Sequence, residues 1–204
     1  MATIVQQHAY IARVASAIQG MSLGGLLPSV LIAQACLESG YGLSLLASQY
    51  NNHFGLKVGR GRNYGGWTGR SVTLSTREVA DGQSVTVNSR FKAFDSLEQS
   101  IIERNGLLST LSRYKPCLSE TTPRGQITAI CNGGYATGTR YVESVMKIVD
   151  DHNLTQYDQV GSGSGTDTPS ITTKIYKMDT RTLSIVIVCT GIALAALGGF
   201  NLFM

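Results

Sequence analysis

Two carboxylates carry the chemistry that this chain's residues could perform. Glu38 stands at the end of Ala33-Gln34-Ala35-Cys36-Leu37-Glu38-Ser39-Gly40-Tyr41-Gly42, behind a run from Pro28 through Val30, Leu31 and Ile32 that is apolar nearly all round. Proline suits a first helical turn, such a run suits a buried helix, and Gly40 and Gly42 stop it. In the last turn of a buried helix, desolvation and the negative end of the helix dipole both disfavour a carboxylate, so both raise its pKa. A carboxyl that keeps its proton near neutral pH can act as a general acid and protonate the leaving oxygen of a glycosidic bond. Taken alone, the segment also fits a solvated glutamate at a helix end. Glu78 follows forty positions later, within Thr76-Arg77-Glu78-Val79-Ala80-Asp81-Gly82. A second carboxylate is what such a reaction needs, either to stabilise positive charge at the sugar carbon or to activate water across the ring. Glu78 and Asp81 equally suit polar positions of a hairpin.

The elements that must position these groups are legible as changes of period. Ile4, Ala9 (or His8), Ile11, Val14, Ala15 and Ile18 recur at helical spacing, and Gly20 ends the helix they predict. His8 reads as a surface or packing residue, since nothing near it supplies a second donor. From Asn51 to Phe94 glycines and short β-rich runs take over. Phe54–Val58, Ser71–Thr76 and Ser84–Val87 leading to Phe91 predict a small antiparallel sheet, with Gly59–Gly66 as a loop at its edge. Helical period returns with Ser96 and Gln99, a capping box ahead of Ile101, Ile102, Leu107 and Leu108. Thr122-Pro123 starts another helix through Ile127 and Ile130, and Gly133-Gly134 end it and deliver Tyr135. Tyr141, Val142, Val145, Met146, Ile148 and Val149 form a closing helix that ends near Asn153. The fold class expected is α+β, a helical lobe with a small antiparallel β lobe.

Several motifs, in order, resemble the glucosaminidases of glycoside hydrolase family 73, which cut peptidoglycan. They are Ala33–Gly42, then Ser44-Leu45-Leu46-Ala47, then Asn51-Asn52-His53-Phe54-Gly55-Leu56-Lys57, Trp67 and Gly69, Thr76-Arg77-Glu78 before Gly82, Phe91-Lys92-Ala93-Phe94-Asp95-Ser96, and Gly134-Tyr135-Ala136-Thr137. The matches run from about Ile4 to Leu154. The resemblance implies a lysozyme-like fold with a glycan cleft between the two lobes. It makes Glu38 the general acid, Glu78 the second acidic residue, and Tyr135 a substrate or transition-state contact. Gly138-Thr139 stand where an Asp-Pro or similar pair is common, a local departure that leaves the tyrosine in place. Asn52, Trp67, Phe54 and Tyr41 are candidate sugar contacts, because aromatic rings stack on sugars and amides bond acetamido groups; Phe54 and Tyr41 also suit core positions. The function implied is hydrolysis of the β-1,4 bond after N-acetylglucosamine. The alternatives are a lytic transglycosylase of the same superfamily and an inactive wall-binding or virion-assembly protein.

Composition narrows the partners. The chain has 204 residues and a net charge of +4, and no Lys/Arg cluster is interleaved with aromatic residues, so nucleic acid is not an expected partner. Cys36, Cys117, Cys131 and Cys189 include no CxxC pair or zinc spacing, and neither metal nor cofactor is expected. Cys117 and Cys131 could pair, although the ungrouped set fits a reducing compartment better than a disulfide scaffold. Residues 1–20 hold no secretory signal pattern. Beyond the domain expected over 1–158, residues 159–182 have the composition of a Gly/Ser linker followed by a basic juxtamembrane segment. Residues 183–204 are an uncharged apolar run of the length that spans a bilayer. Gly191, Ala195 and Gly199 form a small-residue stripe that suits helix association, or equally a lone span. Lys174, Lys177 and Arg181 would hold the catalytic domain on the cytoplasmic side, away from any wall. The expected placements are therefore the internal membrane of a phage particle, a tail-anchored lysis enzyme, or a cell-envelope autolysin inserted against the charge bias.

Overall fold

The protein is described by a computed structural model over residues 1–59, 67–80, 83–136 and 139–161. Its central element is α2 (Pro28–Ser39), in which every residue from Ser29 to Cys36 is buried. A helix that is apolar all round can be stable only when enclosed, and the neighbours of α2 are α1 (Ile4–Ile18), α5 (Pro123–Asn132), α6 (Thr139–Asp151) and a 3-10 segment over Leu154–Gly161. Helix α3 (Leu45–Tyr50) follows the turn after α2, and α4 (Leu97–Thr110) with a 3-10 segment over Ser112–Ser119 leads into α5. Tyr10, Ile11, Val14 and Ile18 form the buried stripe of α1, whereas Ile4 is 59% exposed because the first turn of the helix projects past the core. In α4, Ile101 and Leu108 are fully buried and Ile102 is 61% exposed, so the apolar pair expected there divides between core and solvent.

The β lobe is one antiparallel hairpin of β1 (Ser71–Ala80) and β2 (Gln83–Lys92), in register from Ser71 opposite Lys92 to Ala80 opposite Gln83. Phe54–Val58, expected as a strand, contributes only a single bridge between Lys57 and Phe91. The reason is local. Asn52 donates its amide to the carbonyls of Leu56 (2.9 Å) and Lys92 (2.8 Å) and accepts from the Leu56 N–H (2.9 Å), which folds the segment into a turn with Gly55 at φ 61°. The same contacts stitch that turn to the base of the hairpin. Residues 60–66, most of the loop expected over Gly59–Gly66, lie outside the described residues.

The start of α2 is tied down by distant parts of the chain, and its end by a local turn. At its start Leu27 offers no side-chain cap, and the orphan donors of a helix N-terminus need acceptors. Gln126 Oε1 accepts from the Leu27 N–H at 2.7 Å, and Asp158 accepts from the Ser29 N–H at 2.8 Å and from its hydroxyl at 2.7 Å. The 3-10 segment that carries Asp158 runs to Gly161, over the first residues of the stretch expected as a linker from Gln159. At the other end Gly40 caps α2 in the left-handed region, and Tyr41 and Gly42 continue there at φ 58° and 78°. Ser39 Oγ accepts from the Gly42 N–H at 2.7 Å and closes this turn. A Cβ on Gly42 would stand 2.6 Å from the Tyr10 ring, so both conformation and space require glycine.

Cys36 and Cys117 are buried free thiols, so the pairing of Cys117 with Cys131 is not formed. Residues 162–182 of the expected linker and juxtamembrane segment, and the apolar run 183–204, lie outside the described residues; among those described, no helix is long and apolar enough to cross a membrane. Asp158→Ala strips the buried Ser29 of both acceptors and is expected to lower stability by about 1–3 kcal/mol, read as an earlier urea midpoint with an unchanged m-value.

Candidate active site

The last turn of α2 and the first turn of α6 bring the reactive groups together. Glu38 is half-buried, and the Tyr141 hydroxyl donates to its Oε1 at 2.8 Å. Burial lifts the Glu38 carboxyl above the ordinary glutamate range, and the Tyr141 hydrogen bond, which favours the carboxylate, only partly offsets this. Tyr141 is in turn fixed by Gln34 on α2, whose Nε2 donates to the phenol oxygen at 2.8 Å. Gln34 Oε1 accepts from the guanidinium of Arg104 on α4. Arg104 is fully buried, and its guanidinium carbon lies 5.5 Å from the centre of the Phe54 ring.

Tyr135, on the turn between α5 and α6, belongs to the same cluster. Its ring centre is 6.3 Å from that of Tyr141, its hydroxyl donates to the Phe54 carbonyl at 3.5 Å, and Glu38 is near enough to oppose its ionisation. Burial, ahead of that charge, raises the pKa of Tyr135. Both tyrosines are therefore neutral hydroxyls at any physiological pH. Glu78 lies on β1 opposite Val85; its side chain is outside the described residues.

The candidate sugar contacts fare differently. Asn52 is 1% exposed, with both amide hydrogens donated inside the protein, and Phe54 is 3% exposed under Arg104. Both side chains face inward: Asn52 shapes the turn below the hairpin, and Phe54 supplies a ring to Arg104 and a carbonyl to Tyr135. Tyr41 bonds His152 Nε2 at 3.2 Å and packs edge-on to Tyr10, so its ring holds the turn after Glu38 against α1 and the end of α6. Trp67 is half-buried at the base of the hairpin. Its indole N–H donates to the Arg70 carbonyl at 2.9 Å, and its ring meets Phe94 and the ammonium of Lys92, 4.7 Å from the ring centre.

In the sequence Tyr141 stands only as one member of the closing helix, and Gln34 and Arg104 have no role of their own. A signal was present in each: a phenol, an amide and a guanidinium on otherwise apolar faces must find partners when buried. What their order in the chain could not show is that the three partners are one another. Among the described residues no group of histidine, cysteine and carboxylate side chains could hold a metal ion.

Comparison with known proteins places these features in a family. Residues 14–154 match the glucosaminidase family model, described as mannosyl-glycoprotein endo-beta-N-acetylglucosaminidase. The exo-glucosaminidase LytG of Bacillus subtilis (strain 168) is 34% identical over 140 residues, 66% of this chain and 47% of that protein. A Lactococcus lactis subsp. cremoris protein named "Probable N-acetylmuramidase" is 32% identical over 168 residues, 78% of this chain and 37% of its own. The chain thus spans less than half the length of these relatives. Among solved structures, the catalytic domain of the autolysin Auto from Listeria monocytogenes superposes with a TM-score of 0.64 at 30% identity, covering 78% of this chain and 90% of that one.

Two buried groups give the stability opposite pH dependences. Below about pH 4.5, the ordinary glutamate value, Glu38 is protonated folded or unfolded. As pH rises past it, the unfolded chain releases the proton first and folding is progressively opposed. In calorimetry, Glu38→Gln is therefore expected to melt increasingly above the wild type as pH rises from about 4.5, until the folded carboxyl also ionises; a flat difference would contradict the raised pKa. His53 is buried with its Nδ1 on the Tyr10 hydroxyl at 2.7 Å, and burial holds its pKa down at about 4 against an ordinary 6.5. Its contribution is present above pH 6.5 and is lost as pH falls towards 4, so His53→Gln should flatten that limb of the stability profile.

Proposed function

The chain belongs to the glucosaminidase family, and from that membership we propose that it is a peptidoglycan hydrolase that cleaves the β-1,4 bond after N-acetylglucosamine, with Glu38 as the general acid. The observation that carries the reading is the half-buried Glu38 carboxyl, biased towards its protonated form, with one oxygen held by Tyr141. Glu38 gives its proton to the leaving glycosidic oxygen as the bond to the anomeric carbon breaks. The Tyr141 hydroxyl then supports the carboxylate that forms. Glu78, on β1 across from Val85, stabilises the positive charge on the sugar or activates the water that completes hydrolysis. Tyr135 stands beside Glu38 as a contact to the reacting sugar, with Trp67 and Tyr41 as further contacts at the edges of the site. The family match supports the substrate class, and relatives named both glucosaminidase and muramidase make the bond cut the point to test.

The same reading covers the rest of the chain. Residues 183–204, apolar and uncharged after a basic segment, form a membrane anchor. The basic flank favours a catalytic domain held on the inner face, which suits a phage particle's internal membrane or a lysis enzyme that acts once the membrane is breached. Alkaline carbonate extraction of membranes should leave the chain in the pellet, and deletion of 183–204 should release it.

Incubating the full chain with purified peptidoglycan and identifying products by mass spectrometry tests the enzymatic reading. Reducing-end N-acetylglucosamine is expected. Glu38→Gln should lower the rate by about 10²- to 10⁴-fold, the usual contribution of a general acid, and Glu78→Gln should also lower it. Anhydro-muramyl products that do not depend on Glu78 would replace this reading with a lytic transglycosylase, reducing-end N-acetylmuramic acid with a muramidase, and no products on several wall types with a wall-binding protein.

A further inference from the structure

A one-way chain of hydrogen bonds leads to Glu38. Arginine has only donors, so Gln34 Oε1, which faces the Arg104 guanidinium, must accept. That fixes the orientation of the amide and aims Gln34 Nε2 at the Tyr141 oxygen, 2.8 Å away. With its oxygen already accepting from Gln34, Tyr141 has its single proton left for Glu38 Oε1, at 2.8 Å. Arg104 fixes the first two steps, and the third uses the one proton that Tyr141 has to give.

We propose that Arg104 and Gln34 are positioning residues that act through Tyr141: they order the hydrogen bonds so that Glu38 Oε1 always accepts, which places the acidic proton of Glu38 on Oε2, the oxygen left to face the substrate. Without that order a carboxylic acid can carry its proton on either oxygen, and a proton on Oε1 would be spent on Tyr141. The site therefore holds a guanidinium that touches neither substrate nor Glu38. Burying Arg104 completely is expensive; the partners it has are the side chains of Gln34 and Asn105 and the Phe54 ring, and its Nε has no acceptor among the described residues. A residue needed only for packing in that position would be served better by an apolar side chain. The titratable and charged groups that face Glu38 among the described residues are Tyr141 on α6, Tyr135 on the turn before it and, through Gln34, Arg104 on α4. Of these only Tyr141 bonds the carboxyl, so the order of its hydrogen bonds governs the protonation of Glu38.

The inference rests on Glu38 being the general acid, and it is tested on the full chain by two readouts. One is the carboxyl carbon resonance of Glu38 in protein labelled at glutamate, followed against pH; the other is the pH profile of kcat on peptidoglycan. Tyr141→Phe keeps the ring and removes the donor, so the Glu38 titration is expected to move upward. Gln34→Glu is close to isosteric and can pair with Arg104, which protects the fold. The introduced carboxylate has no N–H to give Tyr141, however, so the phenol proton is drawn to it and away from Glu38. Its titration should also move upward, kcat should fall about tenfold or more, a part of the roughly 10²–10⁴-fold that general acids supply, and the alkaline limb of the kcat profile should follow the resonance. Arg104→Met should move Glu38 in the same direction, with Arg104→Lys restoring part of the shift, and combining Arg104→Met with Tyr141→Phe should add nothing to Tyr141→Phe alone. A Glu38 titration that stays in place in Tyr141→Phe and Gln34→Glu overturns the relay, as does an additive double variant. If the resonances shift as expected while the wild type cuts no wall, the relay stands and the assignment of Glu38 as a glycosidic acid falls.

Discussion

Enclosing α2 on all sides is the constraint on which the rest of this structure depends. Each large apolar side chain taken from water contributes roughly 1.5–3 kcal/mol, and Val30, Leu31 and Ile32 are all fully buried. Such a helix needs a neighbour on every face, and the chain supplies α1 from before it and α5, α6 and the last 3-10 segment from far behind it. The polar residues of α2 must then be satisfied inside the protein. Ser29 is served by Asp158, Gln34 by Arg104 and Tyr141, and Ser39 by the Ala35 carbonyl, Tyr10 and the Gly42 N–H. Burial of one helix has thus drawn in contacts from most of the domain.

The electrostatics of the site follow from the same enclosure. Glu38 sits where α2 emerges from the core, so it is partly desolvated yet reachable. Burial outweighs the one hydrogen bond that favours its charge, and the carboxyl keeps its proton more readily than an exposed one. The surroundings add neutral donors in place of cations: Tyr141 and Tyr135 hold their protons, and the one guanidinium in the cluster acts at two removes. A lysine or arginine directly on Glu38 would stabilise the carboxylate and defeat a general acid. The hairpin, in contrast, is tied to the helical lobe mainly through its base, by Asn52, by the Lys92 and Val58 backbone bonds, and by the partly buried Lys92–Glu103 pair at 2.5 Å.

Helix signals were readable because they are local. Pro28 with Gly40, Ser96 with Gln99, and Thr122 with Pro123 mark ends that the structure realises within a residue or two, since caps are contacts between near neighbours. Even there the tertiary context intervened: Gln99 turns its side chain to the Asp95 N–H, one residue outside the cap. The Phe54–Val58 run shows the limit of period alone. Its residues suit a strand, but a single asparagine two positions earlier bonds both ends of a turn and reserves the segment for it. Asn52 looked like a group for binding sugar for the same reason that it makes a good strut, which is an amide able to donate and accept at once.

By itself, then, the sequence determined α1, α2, α4, α5 and α6, the hairpin, the glycine turn that ends α2 and the carboxylate delivered there, because each depends on side chains within a few positions of one another. The ordered motifs also carried the family. Only the tertiary structure decided which polar groups meet: Gln34 and Arg104 are seventy positions apart and Glu38 and Tyr141 more than a hundred. Their hydrogen bonds exist because the fold brings Arg104 of α4 to Gln34, and Tyr141 of α6 to both Gln34 and Glu38, one turn apart on α2. Burial, which depends on the whole fold, also decided that the Asn52 and Phe54 side chains face the interior.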